Sequence, residues 1–185
     1  MVATLSRIIL RLFGWHTHAA LPEGIVKAVV IVAPHTSYWD FVIGRMTFWS
    51  SKFKIRVLIK KEVFFFPLGW LLRHLGGVPV ARGHKNNMVG QVTELFQKFP
   101  AMVVVITPEG TRKKVRHWKK GFYHIAMEAN VPIALAFIDY KTKTGGIGPL
   151  FYPTGNYEKD LAVIVEFYRD KKGRHPEQFN LNIFH

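Results

Sequence analysis

Two small groups of residues have the types and spacing to do chemistry. The first is His35 and Asp40. On one regular helix, five positions would set them about 140° apart around the axis, too far to cooperate. Pro34 breaks simple continuation, however. His35 stands at the exit of an apolar run, and Asp40 in the first turn of the helical segment that follows. A bend between them can fold the imidazole back onto the carboxylate. A carboxylate on one imidazole nitrogen fixes the tautomer and leaves the other nitrogen free as a base, the group that an attacking hydroxyl requires. Ser37, beside His35, is an alternative as a nucleophile, and the spacing alone also fits a structural histidine at a strand end. The second group is Thr107-Pro108-Glu109-Gly110-Thr111-Arg112. A glycine lets backbone approach a ligand closely. The hydroxyl and guanidinium can hold phosphate oxygens, the latter in bidentate fashion, and Glu109 can orient an arginine or a substrate hydroxyl. The same six residues also make an ordinary polar turn.

Both groups need elements to position them. Residues 28–33 are a short β-branched apolar run, the pattern of a strand buried on both faces, and Pro34 ends it. A helix is predicted over 38–51 and a strand over 54–59. Pro67 suits the start of a short helix ending at 76–77, followed by a strand over 78–81. Asn86 or Asn87 caps a helix reaching 99, and 101–106 is the most strand-like run in the chain. After a basic loop over 108–118 come a helix over 120–130 and a strand over 132–140. Gly145, Gly146 and Gly148 mark a turn before another extended stretch, and 156–169 reads as helix. Buried strands separated by helices predict an α/β fold: a single domain with a central, mostly parallel or mixed sheet, helices on both faces, and an N-terminal amphipathic helix. In such sheets reactive residues gather in loops at strand ends, where both groups fall.

Composition narrows the partners. The 185 residues are 49% hydrophobic, enough for a sizeable core, and contain no cysteine, which excludes a disulfide framework, a zinc–thiolate site and a cysteine nucleophile. Lys plus Arg number 26 against 12 Asp plus Glu, a formal charge of +14 that calls for an anionic partner. The cations cluster at 52–61, 112–120 and 169–174. Phe64, Phe65, Phe66, Trp70, Leu71 and Leu72 crowd one segment beside the first cluster, a mixture suited to anionic lipid as well as to a core. Leu5, Ile8, Ile9, Leu12 and Phe13 follow helical spacing with Arg7 and Arg11 on another face, so residues 1–20 are expected to form a membrane-associating helix ahead of a catalytic domain over 21–185. No run approaches the length of about 20 apolar residues that spans a bilayer. A non-enzymatic nucleic-acid or membrane binder is the rival reading of the charge, but no RNP, KH or helix-turn-helix pattern is present.

Together the two groups are far more specific than either alone. His35-Thr-Ser-Tyr-Trp-Asp40 followed by Pro108-Glu-Gly-Thr-Arg112 resembles the signature pair of the glycerol-3-phosphate and 1-acylglycerol-3-phosphate (lysophosphatidate) acyltransferases. Lys61-Glu-Val-Phe-Phe-Phe-Pro67-Leu-Gly-Trp, running to Gly77-Val-Pro-Val-Ala-Arg82, resembles the family's acceptor-binding block. Val131-Pro132-Ile133, preceded by Lys119-Lys120-Gly121-Phe122, resembles its last block. The likeness covers residues 28–140 in the family's order, with departures at Pro34, Ala81, Thr107 and Lys113, and no family motif follows residue 145. The resemblance implies His35 as general base, held by Asp40. It implies Arg82 and Arg112 on an acceptor phosphate, with Glu109, Gly110, Thr111 and Lys120 about it. No sequence motif locates the oxyanion hole; backbone amides near the helix start after His35 are candidates. The implied reaction moves a fatty acyl group from acyl-CoA or acyl carrier protein to a lysophosphatidate-like lipid, with another lysophospholipid or lyso-ornithine lipid as alternative acceptors. The implied place is the cytoplasmic face of an anionic membrane surface, peripherally bound. No metal, no cofactor beyond the thioester donor and no specific nucleic acid are implied.

Overall fold

A computed structural model of the chain describes residues 2–50, 55–81 and 87–183. Lys52 and Lys54 of the first cationic cluster, together with Arg82 and Asn86, lie outside the described residues. Continuous apolar runs make the centre of the sheet. Strand β2 (Lys27–Ala33) is buried along nearly its whole length, and β5 (Met102–Ile106) runs parallel beside it in the register Val29 to Val104 and Ile31 to Ile106. Such strands must be covered on both faces. The odd-numbered side chains of β2 (Val29, Ile31, Ala33) pack with α4 (Met88–Lys98), α5 (Gly121–Glu128) and α6 (Tyr157–Tyr168). Its even-numbered Val30 and Val32 pack with Leu10 of α1 (Val2–Leu12) and with Ile43 and Phe48 of α2 (Trp39–Trp49).

Among the described residues seven strands form one mixed sheet in the order β1-β7-β6-β2-β5-β3-β4. The outer members are β1 (His16–His18), β7 (Thr144–Phe151), β6 (Ile133–Asp139), β3 (Ile55–Lys60) and β4 (Gly77–Val80). Only the β6–β7 pairing is antiparallel. A short helix, α3 (Leu68–His74), leads into β4. Asn87 caps α4 through the Gly90 N–H. The α/β class, the mixed sheet, the helices on both faces and the N-terminal helix agree with the sequence expectation. The glycines at 145, 146 and 148 do not: they lie inside β7, and the turn falls before them. A side chain at Gly146 would collide with the His18 carbonyl of β1, and one at Gly148 with the Phe167 ring, so these glycines permit close approach rather than a bend.

Helix α1 uses its faces differently from a core helix. Ser6 and Leu10 are buried, whereas Leu5, Ile8, Leu12 and Phe13 point outward, Leu12 being 80% exposed. No helix among the described residues is long and apolar enough to cross a membrane.

Candidate active site

The two reactive segments leave the C-terminal ends of adjacent parallel strands, β2 and β5, so sheet register alone brings them together. Beyond Ala33 the chain passes through a cis Ala33–Pro34 peptide to His35, then bends into α2, whose first turn carries Asp40. The bend is tied by Asp40 itself. Its Oδ2 accepts the backbone N–H groups of Thr36 and Ser37, each at 2.8 Å, and lies 3.2 Å from Nδ1 of His35. Its Oδ1 accepts the Tyr140 hydroxyl at 2.7 Å. Burial pushes the Asp40 carboxyl up, but the hydrogen bonds from His35, Tyr140 and Ser37 outweigh it and hold the group below its ordinary range. Asp40 is therefore an ionised acceptor surrounded by donors. A carboxylate can only accept, so Nδ1 of His35 carries its proton toward Asp40 and Nε2 keeps a free lone pair.

Glu109 lies beneath this loop, 3% exposed. Its Oε1 accepts the His35 backbone N–H at 3.0 Å, and its buried Oε2 has no partner among the described residues. Burial pushes its carboxyl up to about 8, and the Asp40 charge adds to the rise against the opposing hydrogen bond from His35. Glu109 is thus mostly protonated at neutral pH and braces the main chain that presents the imidazole. The rest of its loop is closed by the Lys119 N–H on the Pro108 carbonyl, 2.9 Å. Gly110 takes a positive φ of 67° there, and the Lys119 side chain fills the space where its Cβ would stand. The Thr111 hydroxyl accepts the Lys113 N–H. Arg112 stacks on Tyr38, 3.7 Å from the ring centre.

His35, Asp40, Gly110, Arg112 and Lys119 open onto a cavity of about 700 Å³. Behind this polar mouth its walls are apolar: Val32, Phe41, Phe48, Val57, Leu58, Leu72 and Val105 contribute. It reaches down to Ile55, which pairs with Val103, while the mouth includes Thr107. Four strand residues separate those two levels, about 13 Å. A polar mouth with an imidazole over an apolar chamber suits an amphiphile whose polar end meets His35.

The structure brings His35, Asp40, Glu109, Gly110 and Arg112 into one site. Glu109 lies under it, and Thr111 turns the loop at its side. Arg82 lies outside the described residues. Lys120 faces elsewhere, its ammonium 4.5 Å from the Tyr157 ring and lining a smaller pocket of about 320 Å³; its neighbour Lys119 lines the main cavity. Of the amides near the helix start, those of Thr36 and Ser37 are directed at Asp40. Tyr38 and Tyr140 also belong to the site although sequence reasoning did not select them. Tyr38 lies inside the His-x4-Asp segment, but Tyr140 is 100 positions from its partner and gives no local signal. No group of three or more His, Cys, Asp or Glu that could hold a metal ion occurs among the described residues.

An imidazole and a guanidinium thus stand at the mouth of an apolar chamber on an α/β sheet. Residues 16–137 match the Acyltransferase family, and the chain belongs to it. Among solved structures it is similar to the 1-acyl-sn-glycerophosphate (LPA) acyltransferase PlsC from Thermotoga maritima, with a TM-score of 0.61 and 19% sequence identity over 90% of this chain and 74% of that one. At that identity the likeness is one of fold. No curated protein matches the chain.

Proposed function

We propose that the chain transfers a fatty acyl group from an acyl-CoA or acyl carrier protein thioester to the free hydroxyl of 1-acylglycerol-3-phosphate, giving phosphatidic acid. The observation that carries this reading is the hydrogen-bonded His35–Asp40 pair at the mouth of the apolar cavity, with Arg112 on the same rim. The acceptor hydroxyl sits against Nε2 of His35 and its phosphate against Arg112, a guanidinium suited to phosphate oxygens. As the hydroxyl oxygen bonds to the thioester carbonyl carbon, Nε2 takes its proton and the carbonyl becomes a tetrahedral oxyanion. Collapse of that oxyanion breaks the carbon–sulfur bond, and the imidazolium returns the proton to the leaving thiolate. Asp40 stabilises the imidazolium between the two transfers. The acyl chain lies in the apolar chamber, where about 13 Å of strand length holds about ten extended carbons at about 1.3 Å per tetrahedral bond. The similar Thermotoga protein is a 1-acyl-sn-glycerophosphate acyltransferase, which supports the choice of acceptor.

The enzyme works peripherally, at the cytoplasmic face of an anionic membrane. The formal charge of +14 and the outward apolar side chains of α1, with Trp39 and Phe41 of α2, Phe66 before α3 and Trp70 on it, support that placement. The test offers purified protein labelled acyl-CoA or acyl carrier protein with 1-acylglycerol-3-phosphate, other lysophospholipids and lyso-ornithine lipid, in phosphatidylglycerol vesicles, and identifies products by mass spectrometry. The expected product is phosphatidic acid, abolished by His35→Ala with the fold retained. A product from another lyso-lipid alone replaces the acceptor. Near-normal turnover by His35→Ala removes the mechanism.

A further inference from the structure

The match to the family stops at residue 137, yet the hydrogen bonds of the reactive pair do not. Tyr140, one residue past β6, donates its hydroxyl to Oδ1 of Asp40 at 2.7 Å. Its ring packs edge-on against buried Trp15, with centroids 5.1 Å apart. Burial and Asp40 push the tyrosine pKa up, and the positive charge of Arg174 opposes the rise.

Arg174 is carried by the segment after α6, which crosses the ends of the central strands as a strap. The Lys172 carbonyl accepts the Tyr140 N–H at 2.9 Å, and the Lys172 N–H donates to Oδ1 of Asp139 at 3.1 Å. Gly173 lies against Thr36 and Pro34 so closely that a Cβ there would stand 2.6 Å from the Thr36 hydroxyl oxygen. The His175 N–H donates to that oxygen at 3.1 Å. Further on, Asn180 reaches the Val115 carbonyl of the basic loop at 3.0 Å. The strap therefore touches the end of β6, the His35–Asp40 bend and the loop after β5 in turn.

We propose that Tyr140 is a positioning residue for acyl transfer, and that the strap after α6 is part of the active site. A tyrosine hydroxyl has one proton and can also accept. A carboxylate can only accept, so at 2.7 Å that proton points at Oδ1 of Asp40. Asp40 then meets donors at both oxygens: Tyr140 on one, Thr36, Ser37 and His35 on the other. With its carboxylate plane fixed, Oδ2 stays in line with Nδ1, and Nε2 stays aimed into the cavity. Without the Tyr140 donor the carboxylate can rotate and the imidazole with it.

The inference rests on His35 and Asp40 being the reactive pair, so the experiment starts by confirming that His35→Ala abolishes turnover of an acyl-CoA with 1-acylglycerol-3-phosphate. If it does not, the mechanism falls first. With that control in hand, Tyr140→Phe keeps the ring against Trp15 and removes only the hydroxyl. The expected result is a fall in kcat of about tenfold, the scale of one hydrogen bond to a charged group, with KM for donor and acceptor nearly unchanged. Added to Asp40→Asn, the same change has little further effect, because the charge it holds in line with Nδ1 is already gone. Thr36→Val, which removes the hydroxyl that receives the His175 N–H of the strap, lowers kcat in the parent with KM nearly unchanged and adds little in the Asp40→Asn background. Unchanged kcat in folded Tyr140→Phe, or losses that simply multiply with those of Asp40→Asn, overturns the proposal. If Tyr140→Phe does not fold, the Thr36→Val variant decides in the same way through its kcat and through its coupling to Asp40→Asn.

Discussion

Replacing Asp40 by asparagine removes one negative charge and almost no volume. Asp40 Oδ2 lies 3.2 Å from Nδ1 of His35. When His35 takes the acceptor proton, a full charge at that distance is worth about 5 kcal/mol to the imidazolium at an effective dielectric constant of about 20. An amide oxygen keeps the hydrogen bond without the charge; neutral bonds are worth about 0.5–1.5 kcal/mol where charged ones give about 1.5–3. The loss of transition-state stabilisation therefore falls between about 1.5 and 5 kcal/mol, and kcat drops by about 10- to 1,000-fold or more. The fold survives. The Thr36 and Ser37 N–H groups can still donate to the amide oxygen, and the Tyr140 hydroxyl can accept from the amide nitrogen. Weakening those bonds costs about 1–2 kcal/mol, or about 2–8 °C in Tm for a chain of this length. The assay is the initial rate of phosphatidic acid formation from an acyl-CoA and 1-acylglycerol-3-phosphate, with a thermal melt on the same sample. A kcat within about threefold of the parent at a Tm within that window would refute the argument that the Asp40 charge stabilises the imidazolium.

Glu109→Gln should change how stability depends on pH. The ordinary glutamate value is 4.5 and the folded value about 8. Below 4.5 both states hold the proton; between the two values only the unfolded chain releases it, so stability falls as pH rises until the folded group also ionises, by at most about 5 kcal/mol. Glutamine keeps an acceptor for the His35 N–H and does not titrate, so its Tm should exceed the parent's at pH 8 and approach it near pH 5; a gap equal at both pH values contradicts the buried, protonated assignment. Val57→Phe places a larger ring in the wall of the apolar chamber. Competition among acyl-CoA donors should show the preferred chain shortening by a few carbons, and an unaltered preference removes the chamber from the acyl path.

How far the sequence foretells this architecture depends on where each signal lies. The runs that become β2 and β5 are β-branched and unbroken because both faces of those strands are buried, and that pattern is visible in a single chain. Pro34 and the apolar run before His35 likewise foreshadow the bend that brings the imidazole to Asp40. The three residues of β1 are too few to show a period, and β7 hides behind glycines whose purpose is to admit the His18 carbonyl and the Phe167 ring. At the site, Lys119 and Lys120 are adjacent and alike in sequence, and only the direction each side chain takes separates the one at the main cavity from the one on Tyr157. Tyr140 reaches Asp40 from 100 positions away, through a contact that no local spacing encodes.

The reactive bend and the loop carrying Arg112 are both rooted in β2 and β5, strands that lie side by side in the middle of the sheet with helices over each face. Amides in such a location exchange with solvent only when the whole molecule opens. The attachment points of the site are thus among the last parts of the protein to come apart. Motions that admit and release substrate must arise in the covering pieces, the strap and the first turns of α2, with little give in the floor beneath them.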